Sequence, residues 1–558
     1  MNKSDLYNVF KRKIIILMTI LFPTISIMIV NCGGGGGGGG GDSGSHISAP
    51  GLQTYSISGR VTLEGLGLSN VTISLMAASS AATTKTDSNG FFQFSNLPGG
   101  IYTASASKLG YVFSPSSRTI DLSNNNFTSQ DFVAEEVKWA KTYGGANSEI
   151  GYSIKQTSDE GFIIAGHTNS FGVIDTDLWI LKIDAIGSIE WQKTYGGNNY
   201  DFGRSILETP DGGFIIAGET SSFSADTDLW ILKVDTNGNI LWQKSYGGVG
   251  TDKAYCIQMT SDNGLIVAGE TSSFNSQGAD AWIIKLNSVG DVVWQKAYGG
   301  DKNDVAYYVQ QISDRGYLVI GKTNSFSSSG DYDFWVMKLD ANGDLEWHKT
   351  YGGPNDDVAY SGYQTSDNGY IVAGKYTPSG TIFSNIWVIK LNASGDIEWQ
   401  KMYGDYNDDV AFSITQTSDY GSIVAGKSTS FGNILGDGLL LKLDFKGDIE
   451  WSKIYEGNNS NSLNFAQQIA HGGYILIGET ASYGVGRDDV WVLKLDKNGN
   501  IGGSCALVNS ANILSYTSPY TVQNLPLIQA NITNATVTNT SAVVQNSRST
   551  VNSQCYYP

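Results

Sequence analysis

Between Val137 and Ile501 short runs of alternating apolar and polar residues recur with a fixed period. The copy from Trp191 to Leu241 is representative, and related copies open at Trp139, Trp242, Trp294, Trp347, Trp399 and Trp451, about every 52 residues. A second tryptophan comes late in the copies, at Trp179, Trp230, Trp282, Trp335, Trp387 and Trp491, with Leu439 in its place once. A period of this length marks a propeller, solenoid or array of supersecondary units.

Each copy reads as two hairpins. The first runs from Gly203 to Leu207, turns at Asp211-Gly212-Gly213 and returns through Phe214 to Gly218. A glycine closes that turn in every copy, where it is expected to supply the positive φ of a bulged type I turn. The second runs Asp228 to Asp235, turns, and returns from Asn239 to Tyr246, with an Asp or Asn three residues before a glycine. Four strands in each of seven copies predict an all-β chain with a seven-bladed β-propeller over 136–501. The chain enters it through Val137 to Gly145, a last strand without its predecessors, and leaves after Asp489 to Asp496, a third strand without a fourth. The N-terminal strand is therefore expected to complete the seventh blade and remove the open edge.

Cross-strand counting sets Lys182 against Glu190, Lys338 against Glu346, Lys390 against Glu398 and Lys442 against Glu450, as structural pairs worth about 0.2–1 kcal/mol each. The same counting puts Trp179 and Trp191 on one face of the sheet, as packing between blades.

Upstream, residues 55–135 alternate as short strands, Tyr55 to Leu63 and Asn70 to Leu75 first, with turn signals at Asp87 to Gly90 and Gly99-Gly100. The order D-x-x-G, F-x-F, L-P-x-G-x-Y and G-Y resembles the carboxypeptidase regulatory-like domain. That resemblance implies a small transthyretin-like β-sandwich serving as spacer or adhesion module, without catalytic residues.

Residues 1–32 read as an export signal: Lys3, Lys11, Arg12 and Lys13 precede an apolar run from Ile14 to Val30. Ile29 to Cys32 resembles the lipobox of bacterial lipoproteins, which implies lipidation of Cys32 and a membrane partner through that anchor. Nine glycines, Gly33 to Gly41, open a flexible tether over 33–54. Gly33 after the cysteine resembles the sorting signal for the outer membrane, so the expected place is the cell envelope or surface. Residues 502–558, rich in Ser, Thr and Asn, are expected to form a strand-rich appendage stapled by a Cys505–Cys555 disulfide.

Charge then narrows the partners. With 35 basic and 53 acidic residues the formal net charge is −18, which excludes phosphate-backbone binding and hence nucleic acid. A monomer with a protein or glycan ligand is expected. Carboxylates gather in two loops of each copy, and Asp226 with Asp228 and Asp331 with Asp333 are the candidate metal ligands, for calcium. No full EF-hand loop accompanies them, and capping of turns is the ordinary use of such residues. No cofactor motif occurs. The histidines His46, His167, His348 and His471 are isolated, Cys256 stands where other copies carry serine, and no catalytic residue is assigned. Three functions stay open: an interaction scaffold, a polysaccharide-acting hydrolase (some proteins with similar repeats are endoglucanase-like), and a structural envelope component.

Overall fold

A computed structural model describes residues 53–502 except 79, 172–174, 275–276 and 328, together with the backbone of short strands between 508 and 557. Every strand of the N-terminal region belongs to one of two sheets. Thr54–Leu63 runs between Phe91–Pro98 and Phe132–Glu136, antiparallel to the first and parallel to the second. Thr72–Ala77 is flanked by Ser80–Lys85 and Ile101–Ser107 in the other sheet. Alternation does what the sequence expects: Tyr55, Ile57, Val61 and Leu63 all point into one core with Phe92, Tyr102 and Phe132. The Asp87 carboxylate takes the N–H groups of Asn89 and Phe91, both 2.9 Å, and so fixes the turn that Gly90 completes at φ 77°.

The repeat region folds into seven four-stranded antiparallel sheets, each with its own two open edges within the repeat. The second sheet is typical: Asp201–Glu208, Phe214–Thr220, Asp228–Val234 and Ile240–Gly247 in that order. In the seventh, Asn461–Gln468, Tyr474–Thr480 and Asp489–Leu495 are followed by Lys138–Gly144, paired antiparallel with Trp139 opposite Lys494 and Thr142 opposite Trp491. First strands touch first strands of neighbouring sheets from Glu149–Gln156 through to Asn461–Gln468, which in turn touches Glu149–Gln156. The Glu149 N–H donates to the Asp488 carbonyl at 2.7 Å at that last junction.

Two chemistries hold each sheet to the next. The late tryptophans are buried, and the opening ones reach across: Trp191 donates its indole N–H to Thr236 at 3.0 Å, and Tyr195 its hydroxyl to Gly238 at 2.7 Å. Trp179 and Trp191 nevertheless lie on opposite faces of their sheet, contrary to the expectation. Trp191 sits across from Lys182, whereas Trp179 sits across from Thr194, so the two indoles differ by an odd step of the pleat. Trp179 therefore packs towards the seventh sheet and Trp191 towards the second.

The lysines pair as counted, although Glu190 is one residue out of register with Lys182. Lys182 meets Glu190 at 2.9 Å, Lys338 meets Glu346 at 2.6 Å, Lys390 meets Glu398 at 2.8 Å and Lys442 meets Glu450 at 3.0 Å. Each also holds the aspartate of the first hairpin's turn, Lys182 with Asp159 at 2.8 Å for example. In the seventh copy His471 replaces that aspartate, and Lys494 takes Glu136 instead at 2.9 Å. The positive φ of that turn falls on its middle residue, Glu160, Asn263 or Tyr420, and not on the following glycine. Gly161 is needed for another reason: a Cβ there would stand 2.5 Å from the Ile183 carbonyl oxygen.

The C-terminal strands are not a separate appendage. Val508–Ser510, Leu514–Tyr516, Val522–Asn524, Asn531–Ile532, Thr536–Asn539, Val543–Asn546 and Thr550–Tyr557 each add a fifth, antiparallel strand to a different sheet, in reverse order from the sixth through the first to the seventh. Backbone pairing on the last edge satisfies N–H and C=O groups that would otherwise template aggregation. Cys505 and Cys32 lie outside the described residues, and Cys555 falls in a strand of which only the backbone is described.

Candidate functional site

Every first strand carries a β-bulge at the same place, between Gly203 and Ser205 in the second sheet and between Ala359 and Ser361 in the fifth. A bulge leaves one residue unpaired and re-aims its side chain. The bulged residues are Tyr152, Tyr255, Tyr307, Tyr360 and Phe412, with Arg204 and Asn464 in the two remaining sheets. All seven line one cavity of about 500 Å³.

Its wall is a chain of ring contacts: Tyr255 to Tyr307 at 5.0 Å, Tyr307 to Tyr360 at 5.2 Å, and Tyr360 to Phe412 at 5.8 Å between centroids. Arg204 interrupts the aromatics. Its guanidinium stands 4.5 Å from the Tyr152 ring and 5.0 Å from Phe202, and its Nη2 meets Glu219 at 2.7 Å. The Tyr255 hydroxyl donates to Glu270 at 2.9 Å, and Lys253 meets the same carboxylate at 3.0 Å. Burial and then Glu270 hold the Tyr255 phenol well above its usual range, so it remains a donor.

Just above this wall, the next-to-last residue of each second strand forms another series: His167, Glu219, Glu270, Lys322, Lys375, Lys427 and Glu479. Burial, then the Arg204 charge, pushes His167 down to about 3, so it is neutral between the Tyr152 and Phe202 rings. The three lysines are consecutive. Lys322 lies 4.1 Å over the Tyr332 ring, and Lys427 donates to the Ser460 hydroxyl at 2.7 Å. A second cavity, about 690 Å³, opens beside them among the loops that join the sheets, lined by Asp331, Asp356, Lys375, Asp408 and Lys427. Phe412 lines both cavities.

The aspartates singled out from the sequence are distributed differently. Asp228 and Asp333 open third strands and are buried; Asp226 and Asp331 are half-buried loop residues beside them. Each buried one faces an acid of the following sheet: Asp228 with Asp252 and Asp333 with Asp357, as Asp177 does Asp201. A Cβ on Gly247 or Gly352 would overlap both members, which is why the Y-G-G corner needs glycine. Asp252 takes the Gly248 N–H at 3.0 Å and the Ser273 hydroxyl at 2.6 Å, the work of a turn cap. Two junctions carry one amide in place of an acid, Asn385 beside Asp409 and Asn461 beside Asp437. Among the described residues no three His, Cys, Asp or Glu side chains gather to hold a metal ion.

Cys256 is buried beside the first cavity, its thiol directed at the Val309 carbonyl of the next sheet at 3.7 Å and pushed up to about 11 by burial. Ser153, Ser205 and Ser413 make the matching bridge by accepting N–H groups of Ile206, Ile257 and Ala466. Sequence reading passed over the bulge positions. Their signal is a column of large or polar residues (Tyr, Arg, Tyr, Tyr, Tyr, Phe, Asn) that follows Gly or Ala in six copies and precedes Ser in four.

Residues 56–135 match the carboxypeptidase regulatory-like domain. An alignment 280 positions long, covering 44% of this chain, is 24% identical to the regulatory protein FlaEY of Caulobacter vibrioides and spans 28% of that protein. Among solved structures, Sqt1 from Chaetomium thermophilum aligns with a TM-score of 0.38 at 11% identity, over 60% of this chain and 81% of its own. The polysaccharide lyase Uly1 aligns at 0.35 and 10% identity, over 62% of this chain and 90% of its own.

Proposed function

We propose that the protein is a glycan-binding display protein of the cell envelope, with the seven sheets acting as blades of one β-propeller and the bulge-lined cavity as its binding site. The observation that carries this reading is the convergence of seven bulged side chains, five of them aromatic, on a single concavity. Tyrosine and phenylalanine faces suit the C–H faces of a sugar ring, and a few placed polar groups fix its orientation. Arg204 and Asn464 break the seven-fold sameness and supply those groups. The two carboxylates nearest the rings, Glu219 and Glu270, are each held by a cation. That arrangement favours holding a ligand over proton transfer to it. Contact between first strands around all seven sheets, with Lys138–Gly144 joined to Asp489–Leu495, supports the propeller.

Titration of the full-length protein in detergent with neutral and acidic oligosaccharides tests the binding site. Tyr307→Ala is expected to weaken a binding saccharide about tenfold, the loss of a stacking face, in a protein whose sheets remain folded at the temperature of the titration. Release of reducing ends during the titration would replace binding by hydrolysis. We also propose lipid attachment at Cys32 as the route to the envelope. Labelled fatty acid is expected to enter the native protein and not Cys32→Ser; equal labelling would refute the anchor.

A further inference from the structure

Lys322, Lys375 and Lys427 occupy one register, opposite Val305, Val358 and Val410, in three successive sheets. The fold does not demand lysine there, because the same position holds His167, Glu219, Glu270 and Glu479 elsewhere. Two of the three acids in this series have an ion pair, Glu219 with Arg204 and Glu270 with Lys253; Glu479 has the Ser462 hydroxyl, with the Lys427 charge acting on it from the neighbouring sheet. The lysines have no ion pair among the described residues. Lys427 has a hydroxyl and Lys322 has aromatic faces, while Lys375 has neither. Burial chiefly holds the Lys322 ammonium below its usual range; the Lys375 charge adds to that, and Glu270 and Asp356 oppose it. Half-buried like charges side by side raise one another's free energy, and here they do so in a chain of net charge −18. An anion between them would relieve that cost.

The surroundings narrow the anion. Asp356 accepts the Tyr332 N–H at 3.0 Å, and Asp408 accepts the Ser384 N–H at 2.8 Å and its hydroxyl at 3.0 Å. With Asp331 these carboxylates border the cavity that Lys375 and Lys427 also line, where they repel a densely charged polyanion and accept hydrogen bonds from hydroxyls. Phe412 provides a ring at the floor. One negative group, several hydroxyls and an apolar ring face describe an acidic sugar. We propose that the lysine arc is the subsite for the anionic residue of a glycan, a sugar carrying a carboxylate or a sulfate ester, whose neighbouring units continue into the bulge-lined cavity. This rests on the glycan-binding reading above and names its ligand class.

The test is calorimetric titration of the full-length protein in detergent with three probes of equal length: an oligouronate, its carboxyl-reduced neutral counterpart, and a sulfated neutral oligosaccharide. The expected result is that one acidic probe binds at least tenfold more tightly than the neutral one, about the worth of a charge-assisted hydrogen bond. Which acidic probe it is identifies the group. That preference should shrink between 50 and 500 mM salt, disappear in Lys375→Gln and return in Lys375→Arg, while the melting temperature of unliganded Lys375→Gln does not fall. Tyr307→Ala should weaken acidic and neutral probes alike. Equal binding of all three probes would overturn the anionic subsite and leave the central cavity standing. An acidic preference that survives Lys322→Gln, Lys375→Gln and Lys427→Gln would overturn its placement on this arc. Absence of binding to every probe would overturn both readings.

Discussion

Trp139→Ala is expected to destabilise the protein by about 3–5 kcal/mol, the usual range for deleting a fully buried indole, whereas Trp242→Ala at the matching place costs roughly half as much. Trp139 has no exposed surface; its six counterparts, Trp191 to Trp451, are only half-buried. Its N–H donates to the Ala185 carbonyl at 3.2 Å, its ring meets Phe162 edge-on at 6.2 Å, and Lys141 stands 5.7 Å from it. The difference comes from the N-terminal sandwich. Val112 packs on the same cluster, the Val137 N–H donates to Gly110 at 2.8 Å, and Lys108 meets Glu160 at 2.9 Å. Urea midpoints of the two variants measure the contrast. Equal losses would mean that the sandwich contributes nothing to this seam.

Stability should fall as pH rises from 5 to 8, the reverse of ordinary acid denaturation. Burial first, then Asp201, pushes Asp177 up to about 7. Burial, aided by Asp333, pushes Asp357 up to about 8, and Asp333 and Asp489 reach about 6. An acid whose folded pKa is raised binds its proton more tightly in the folded state. Its contribution is complete below the unfolded value near 4 and is lost as pH climbs through 6 to 8. The lysine-paired Asp211, Asp262 and Asp367, held down to about 2, act in the opposite sense only below about pH 4, and His167, pushed down to about 3, opposes the trend up to its unfolded value near 6.5 without outweighing the four raised acids. Asp177→Asn is therefore expected to raise stability at pH 8 by about 2–4 kcal/mol and to change little at pH 5. The chain carries that amide itself at Asn385, and on the other side of a pair at Asn461. Thermal unfolding of native and variant protein at both pH values decides it. A native melting temperature that rises towards pH 8 would falsify this account of the buried carboxyl groups. Calcium that lifts the native protein at pH 8, but not Asp177→Asn, would put a cation between the carboxylates.

Strand number, hairpin turns and the lysine–glutamate pairs were legible because each depends on residues within about ten positions of one another. The faces of Trp179 and Trp191 were not, since a register shift at the Lys182–Ile183 bulge alters the parity and no residue announces it. The same holds for the site. Tyr152, Arg204 and Asn464 look like ordinary strand residues until seven bulges turn them to a common point. The aspartates drew attention as pairs within one loop, Asp226 with Asp228. Their effective partners, such as Asp252, come from the next sheet, a relation only the packing of sheets creates. The C-terminal strands were read as an appendage because runs of two to eight residues carry no pattern that names a partner sheet; their backbone pairing with the last strands supplies it.

Lys138–Gly144 follows directly on the last strand of the sandwich, and it lies between two antiparallel partners, Asp489–Leu495 and Thr550–Tyr557. Tension applied through the sandwich runs along this strand and loads both ladders at once, in shear. Rupture then requires many hydrogen bonds to fail together, whereas a strand on a free edge would peel one bond at a time. Forced unfolding is set by an unfolding rate, and here that rate is governed by contacts made with the far C-terminal end. The joint where the two folded parts meet is thus expected to resist pull better than a strand on a free edge would.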